Sequence, residues 1–175
     1  MKKIIVMIET PSLNKKQHAE LLSQKLGYKY FSMEDVINEE IKNKTKIGLI
    51  MEKYSSSNIL APDEYSIMLM KDAIINLKEN GIVFDGFPQS VAQAKSLDSF
   101  LFSRKTNKPI PILFDSEQVV VSSNEYKNMA MHESVVSLFD SKMELVADYY
   151  DATAIKINTS NKSVDQTIEE ITKWL

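Results

Sequence analysis

The sequence predicts an α/β protein, built as a parallel sheet of about five strands with helices on both faces. Three observations predict it. Lys3–Ile8 and Ile82–Phe84 are short runs rich in Ile and Val, the pattern of strands buried in a sheet. Segments with apolar residues at helical spacing follow them, such as Ala19, Leu22 and Leu26. Strands and helices then alternate to the end of the chain, which favours parallel pairing through helical crossovers. At 175 residues and 43% hydrophobic content, one domain spanning 1–175 is the natural reading.

In order, the strand Lys3–Ile8 is followed by a loop, Glu9 to Lys15, and a helix, Lys16 to Lys25, closed by Gly27. Tyr28–Phe31 reads as a strand, and Ser32 as the cap of a helix from Met33 to about Lys42. A short helix over Lys46–Tyr54 leads to a serine loop at Ser55–Ser57. Pro62 opens a helix expected to run to about Asn80, with Ile67, Met70, Ile74 and Leu77 facing the core and Gly81 as its stop. The strand Ile82–Phe84 precedes a helix over Ser90–Phe102. The next strand, Ile110–Phe114, contains Pro111, which predicts an edge or a strand end. A decaying helix at Ser116–Tyr126, a long helix over Ala130–Tyr150 and a strand at Ala154–Ile157 follow. Ser163 and Gln166 have the spacing of a capping box, and Val164, Ile168, Ile171 and Leu175 stripe the final helix.

Composition excludes several functions. A net charge of −3 gives no basic field, so no nucleic-acid partner is expected. No apolar run is long enough to span a bilayer, and Ile4–Ile8 is too short for a signal core, so the expectation is a cytoplasmic protein without membrane insertion. The absence of cysteine excludes disulfides and thiol catalysis. His18 and His132 lack partners at ligand spacing, so no metal site is expected. Arg104 is the single arginine among 21 basic residues. Met129 and Met131 are adaptable side chains that suit a protein contact.

The stretch Gly81 to Gln93, GIVFDGFPQSVAQ, organises the chain. A strand ends at the carboxylate of Asp85, Gly86 permits a sharp turn and close approach of a ligand, Pro88 fixes the exit, and Ser90 caps the next helix. In an α/β sheet such a joint lies at the ligand crevice. The bland alternative is an ordinary strand–turn–helix joint.

Phe84-Asp85-Gly86-Phe87-Pro88, with Gln93 beyond it, resembles the DGFPR motif of the adenylate kinases and related nucleoside-monophosphate kinases. Leu60-Ala61-Pro62-Asp63-Glu64 looks like the family's L-V-P/T-D-E, and Phe31 to Val36 like its I-S-T-G-D-M/L. Tyr149-Tyr150 matches a tyrosine pair near the last strand. The resemblance implies a three-layer P-loop kinase-like fold with a reduced lid. It likens residues 33–80 to the monophosphate-binding helical part and 124–132 to a lid remnant. It also implies an adenine pocket at Met33, Leu60, Gly86 and Gln93, and carboxylates orienting magnesium-bound water at Asp35 and Asp85. The bland alternative makes Asp35 and Asp85 helix and turn caps, and Gln93 a solvated helix residue.

The chain departs from the family where phosphate is held. The family's first strand runs into a glycine-rich turn, G-x-x-x-x-G-K followed shortly by a hydroxyl residue, whose glycines let backbone N–H groups curl round phosphate oxygens. The corresponding stretch, Ile8 to Gln17, has no glycine. Ile8 and Leu13 stand at glycine positions, Pro11 lacks an N–H donor, Asn14 takes the lysine position and Lys16 the hydroxyl position. Lys15 or Lys16 turned inward would supply charge without the cradle; the bland reading leaves both solvated at a helix start. The arginine positions carry Asn38, Gln89 and Val135, with Ser122, Ser123 and Lys127 near the lid. Each lost charge-assisted contact is worth roughly 1.5–3 kcal/mol. One transition-state arginine is worth roughly 10³–10⁵ in rate. The expectation is a pseudoenzyme: no catalytic residues, no cofactor, weak or absent nucleotide binding, and a protein partner in a larger assembly. The alternatives are a divergent active ATP:AMP phosphotransferase, which would use ATP and magnesium, or a weak adenine-nucleotide sensor.

Overall fold

The computed structural model describes residues 2–9, 15–57, 59–115 and 133–175. Five strands form one sheet: β1 (Lys3–Glu9), β2 (Lys29–Ser32), β3 (Gly81–Asp85), β4 (Ile110–Asp115) and β5 (Ile155–Asn158). Their order is β2-β3-β1-β4-β5 and every pairing is parallel. β1 is central with β3 beside it, Ile4 opposite Ile82 and Val6 opposite Phe84. The helices are α1 (Lys15–Leu26), α2 (Met33–Lys42), α3 (Lys46–Ser56), α4 (Asp63–Ile75), α5 (Val91–Ser103), α6 (Glu133–Tyr150) and α7 (Val164–Thr172).

The sheet is buried on both faces, which is why β1 and β3 are apolar throughout. Ile4, Val6, Ile8, Ile82 and Phe84 face α4, α5 and α6, packing with Met70, Leu97, Leu101 and Val146. Ile5, Met7, Val83, Ile112 and Ile157 face α1 and α7, packing with Leu22, Ile168 and Ile171. Alternate residues of one strand thus feed opposite cores. Burial of each such side chain stabilises the fold by about 1.5–3 kcal/mol.

Several local expectations hold. Ser32 caps α2, its Oγ accepting from the Asp35 N–H at 3.1 Å. Gly27 closes α1 at φ +65°. The Ser163–Gln166 capping box is formed in both directions.

Two expectations are corrected, and a third holds in one of its two forms. The helix from Pro62 stops at Ile75, not near Asn80. Asn76 caps it, its side chain donating to the Asp72 carbonyl, and Leu77 turns back into the core. Gly81 is therefore not a helix stop but the first residue of β3; a Cβ there would lie 2.6 Å from the Tyr28 ring. Ser55 and Ser56 belong to the last turn of α3 rather than to a loop. Pro111 lies in the fourth of five strands, not at an edge. Pairing with β5 begins only at Ile112, so Pro111 has a neighbour on one side, which satisfies the strand-end reading. The segments expected at Ser116–Tyr126, at 124–132 and at the start of the long helix from Ala130 lie outside the described residues.

Candidate functional site

Parallel strands end at one edge, and there β1, β2 and β3 bring their last residues together, with Ser32 opposite Asp85. The helix after β1 packs on one face and the helix after β3 on the other. Oppositely directed exits from adjacent strands leave a crevice at this carboxyl edge.

Gly86 turns the chain there at φ +72°, a conformation that a side chain disfavours. A Cβ added to it would sit 3.5 Å from Met33 Cβ and 3.6 Å from Gln89 Nε2. Met33, Gly86 and Gln89 are therefore neighbours. Leu60 is half-buried in the lead-in to α4, three residues before Asp63.

Gln93 is buried, contrary to the reading of a solvated helix residue. Its Oε1 accepts from the Gln89 N–H at 2.8 Å, and its Nε2 donates to Asp63 Oδ1 at 2.7 Å. Ser90 caps α5 by accepting from the Gln93 N–H at 3.2 Å, and its hydroxyl donates to Asp63 Oδ2 at 2.7 Å. Asp63, the first residue of α4, thus holds the start of α5 with both carboxylate oxygens. The carboxamide of Gln93 spends its acceptor and one donor N–H inside the protein.

Neither carboxylate at the sheet edge is simply a cap. Asp85 is buried and accepts from the Tyr30 hydroxyl at 2.8 Å. Burial first, and then that bond, raise the Tyr30 phenol well above its ordinary value. Asp35 lies in the first turn of α2, where its charge suits the helix dipole, but Ser32 does the capping. The carboxylate of Asp35 pairs with Lys16 Nζ at 3.3 Å across to α1. That hydrogen bond is the main cause of the raised Lys16 pKa.

Of the phosphate-loop positions, Ile8 is buried beneath the edge and Lys16 is turned to Asp35. Lys15 opens α1. Pro11, Leu13 and Asn14 lie outside the described residues, as do Ser122, Ser123 and Lys127. Asn38 is exposed on α2. Among the described residues no cluster of three His, Cys, Asp or Glu is arranged to hold a metal. His18 is buried against Phe114, at a ring separation of 5.1 Å, as a core side chain.

Tyr149 and Tyr150 lie elsewhere, at the C-terminal end of α6. Both hydroxyls donate to Asp98 on α5, at 2.8 and 3.3 Å. Burial, and secondly Asp98, push the Tyr149 phenol up to about 12. Tyr150 is raised further, chiefly by burial. An open hollow lined by Gln166 on α7 and by Lys162 and Trp174 on either side of that helix shares no residue with the crevice.

Two contributors were not assigned from sequence. Asp63 stood in a recognised motif, and an acid at one helix start facing Ser-x-x-Gln at another was a readable signal. The pairing of Tyr30 with Asp85 depends on the β2–β3 register and had no local signal.

A five-stranded parallel sheet in this order, with two helices between β2 and α4 and its crevice over β1 and β3, defines a P-loop kinase-like α/β protein. The family described as adenylate kinase matches residues 7–164. The chain is 32% identical to an adenylate kinase of Clostridium tetani over 67% of this chain and 55% of that protein. It is 29% identical to one of Azobacteroides pseudotrichonymphae over 92% of this chain and 91% of that protein. With a Clostridium botulinum relative the match is 37% over 45% of that protein. The chain belongs to the adenylate kinase family. Among the described residues, no helix is long and apolar enough to cross a membrane.

Proposed function

We propose that this chain is a member of the family without phosphotransfer activity, serving as a structural or protein-binding subunit of a larger assembly. The observation that carries the reading is that Ile8–Gln17 contains no glycine, and the exposed Lys16–Asp35 pair is secondary to it. The cation at the start of α1 is directed at a carboxylate of this chain, so an incoming phosphate must compete for it. A glycine-free Ile8–Gln17 offers no backbone cradle to offset that competition. Gln93 works in the same direction, since its amide already bonds Asp63 and Gln89. Phosphoryl transfer depends almost wholly on positioning and charge, so loss of both leaves little to accelerate. Nucleotide binding is weak or absent on this reading, and ATP and magnesium are not cofactors.

The names of the relatives favour one rival, ATP:AMP phosphotransfer. A coupled assay with ATP plus AMP, and with other monophosphates, decides between them. The expected result is no turnover above background; turnover of a few per second overturns the proposal. Calorimetric titration with magnesium and ATP is expected to show no binding at millimolar ligand. A Kd at or below about 100 μM, roughly −5.5 kcal/mol, contradicts it.

A further inference from the structure

Five parallel strands also start at one edge, and α4 and α5 run back so that their C-termini reach it. That amino-terminal edge differs in character from the crevice. Lys71 Nζ and the Arg104 guanidinium lie 5.9 and 5.5 Å from the centroid of the same Phe100 ring. Lys105 and Lys108 follow on the exposed lead-in to β4. Among the described residues none of these four cations has a carboxylate at ion-pairing distance. Ile75, four residues after Lys71 and the last residue of α4, is 52% exposed, and Phe102, two residues from Phe100 and so on another side of α5, is 85% exposed. At the opposite edge β1, β3 and β4 end in Glu9, Asp85 and Asp115.

Cations at a helix C-terminus favour the helix dipole, which accounts for Arg104 and Lys105. It does not account for Lys71, which lies before the last turn of α4, or for the exposed Ile75. Arginine and aromatic residues are the side chains enriched at protein interfaces, and Arg104 is the single arginine of the chain.

We infer that the α4–α5 end of this edge, around Lys71, Ile75, Arg104, Lys105 and Lys108, docks an acidic segment of a partner protein. The cations supply charge complementarity, and Ile75 supplies apolar contact. Asp72 beside Lys71, and Glu79 with Lys29 and Lys2 near it, break the basic surface. A mixed surface with apolar residues fits a protein, whereas a nucleic acid needs an unbroken basic stripe. The inference rests on the reading of the chain as a protein-binding subunit.

The test is fluorescence anisotropy with the full chain and a labelled peptide of alternating glutamate and leucine. The peptide is expected to bind. Affinity is expected to fall at least about tenfold in the Lys71→Glu/Arg104→Glu double variant, and severalfold as salt rises from low to physiological strength. Lys105→Glu/Lys108→Glu is expected to weaken binding in the same sense, and Lys16→Glu, at the other edge, to leave it unchanged. All these side chains are exposed or half-buried, and melting curves check that the variants are folded. No binding of the peptide, equal binding to the variants, or tighter binding of a DNA oligonucleotide or phosphatidylserine vesicles through the same residues overturns the inference. Turnover with ATP and AMP would instead sink the pseudoenzyme reading, since the crevice lies at the opposite edge.

Discussion

The two sides of the crevice have kept different things. On the α4–α5 side Asp63, Ser90, Gln93 and the Gln89 backbone form a closed set of hydrogen bonds, mostly buried. On the β1–α1 side the glycine-free stretch leads to a lysine whose described contact is an exposed carboxylate. The first side ties the start of α4 to the start of α5 and serves the fold whether or not a ligand binds. The second has no structural duty that demands glycine, lysine and threonine. On the proposed reading, a fold that no longer transfers phosphate would keep the first and lose the second.

The largest test of that contrast restores the second side. Glycine at Ile8, Pro11, Leu13 and Lys15, lysine at Asn14, threonine at Lys16, and arginine at Asn38 and Gln89 rebuild the family pattern. The expected result is weak ATP binding at best and no efficient turnover, because the arginine position at Val135 stays empty of charge. Melting should also occur at a lower temperature, since the added glycines lose more entropy on folding, and Ile8 is a buried core residue. Steady-state kinetics with ATP and AMP check it. A rate within about a hundredfold of the usual 1–100 s⁻¹ would mean that the scaffold is intact and only the loop has drifted.

The next test removes the first side. Asp63→Ala strips the acceptor from Ser90 Oγ and Gln93 Nε2, two donors on buried residues. A buried donor left without a partner costs about 1–3 kcal/mol, so the loss of stability is expected to be about 2–5 kcal/mol by denaturant unfolding. Asp63→Asn keeps one acceptor oxygen and should fall between the two. A loss of less than about 0.5 kcal/mol in Asp63→Ala would mean that the network is incidental.

Much of this architecture was legible because buried parallel strands leave a plain mark. Ile4–Ile8 and Ile82–Phe84 are apolar on both faces, which marked them as buried strands, and the family resemblance set them side by side. Helix α4 was read five residues too long because Leu77 continues its apolar spacing; it is buried by a reversal of the chain instead. At the crevice, sequence located Met33, Gly86 and Gln93 but not how they are satisfied. The buried amide of Gln93 is explained by Asp63, thirty residues earlier, and Asp85 by Tyr30, fifty-five residues earlier. Such pairings are fixed by register and helix docking, and no local pattern encodes them.

Asp98 offers a third case of a carboxylate held by neutral donors, and it responds to pH. The Tyr149 phenol is shifted from 10.0 to about 12 in the folded protein. A raised phenol favours the neutral form, so the folded state binds more protons than the unfolded chain between about pH 10 and 12. Its contribution is complete below pH 10 and is lost as pH rises through 12. Stability should therefore decline across that window, and Tyr149→Phe should make the decline shallower. Denaturant unfolding at a series of alkaline pH values, with tyrosinate absorbance read in parallel, checks it.

The smallest expected effect concerns Lys16 and Asp35, and it asks which feature keeps nucleotide out. Both side chains are more than half exposed. Exposed ion pairs are screened by water and salt and commonly contribute nothing measurable, so Lys16→Ala should melt with the wild type. Asp35→Asn is more informative. It removes the negative partner and releases the Lys16 ammonium toward the crevice. If the pair were the barrier, magnesium–ATP would gain affinity in this variant. The expected result is no detectable binding in either protein, because a lone ammonium cannot replace the successive backbone N–H groups that a glycine-rich turn presents. Pro11 has no N–H to present at all. Calorimetry on the two proteins at equal ionic strength decides it. A gain of tenfold or more in Asp35→Asn would shift the cause from the missing backbone cradle to one reversible side-chain contact. The β1–α1 side would then be a latched site, not a lost one.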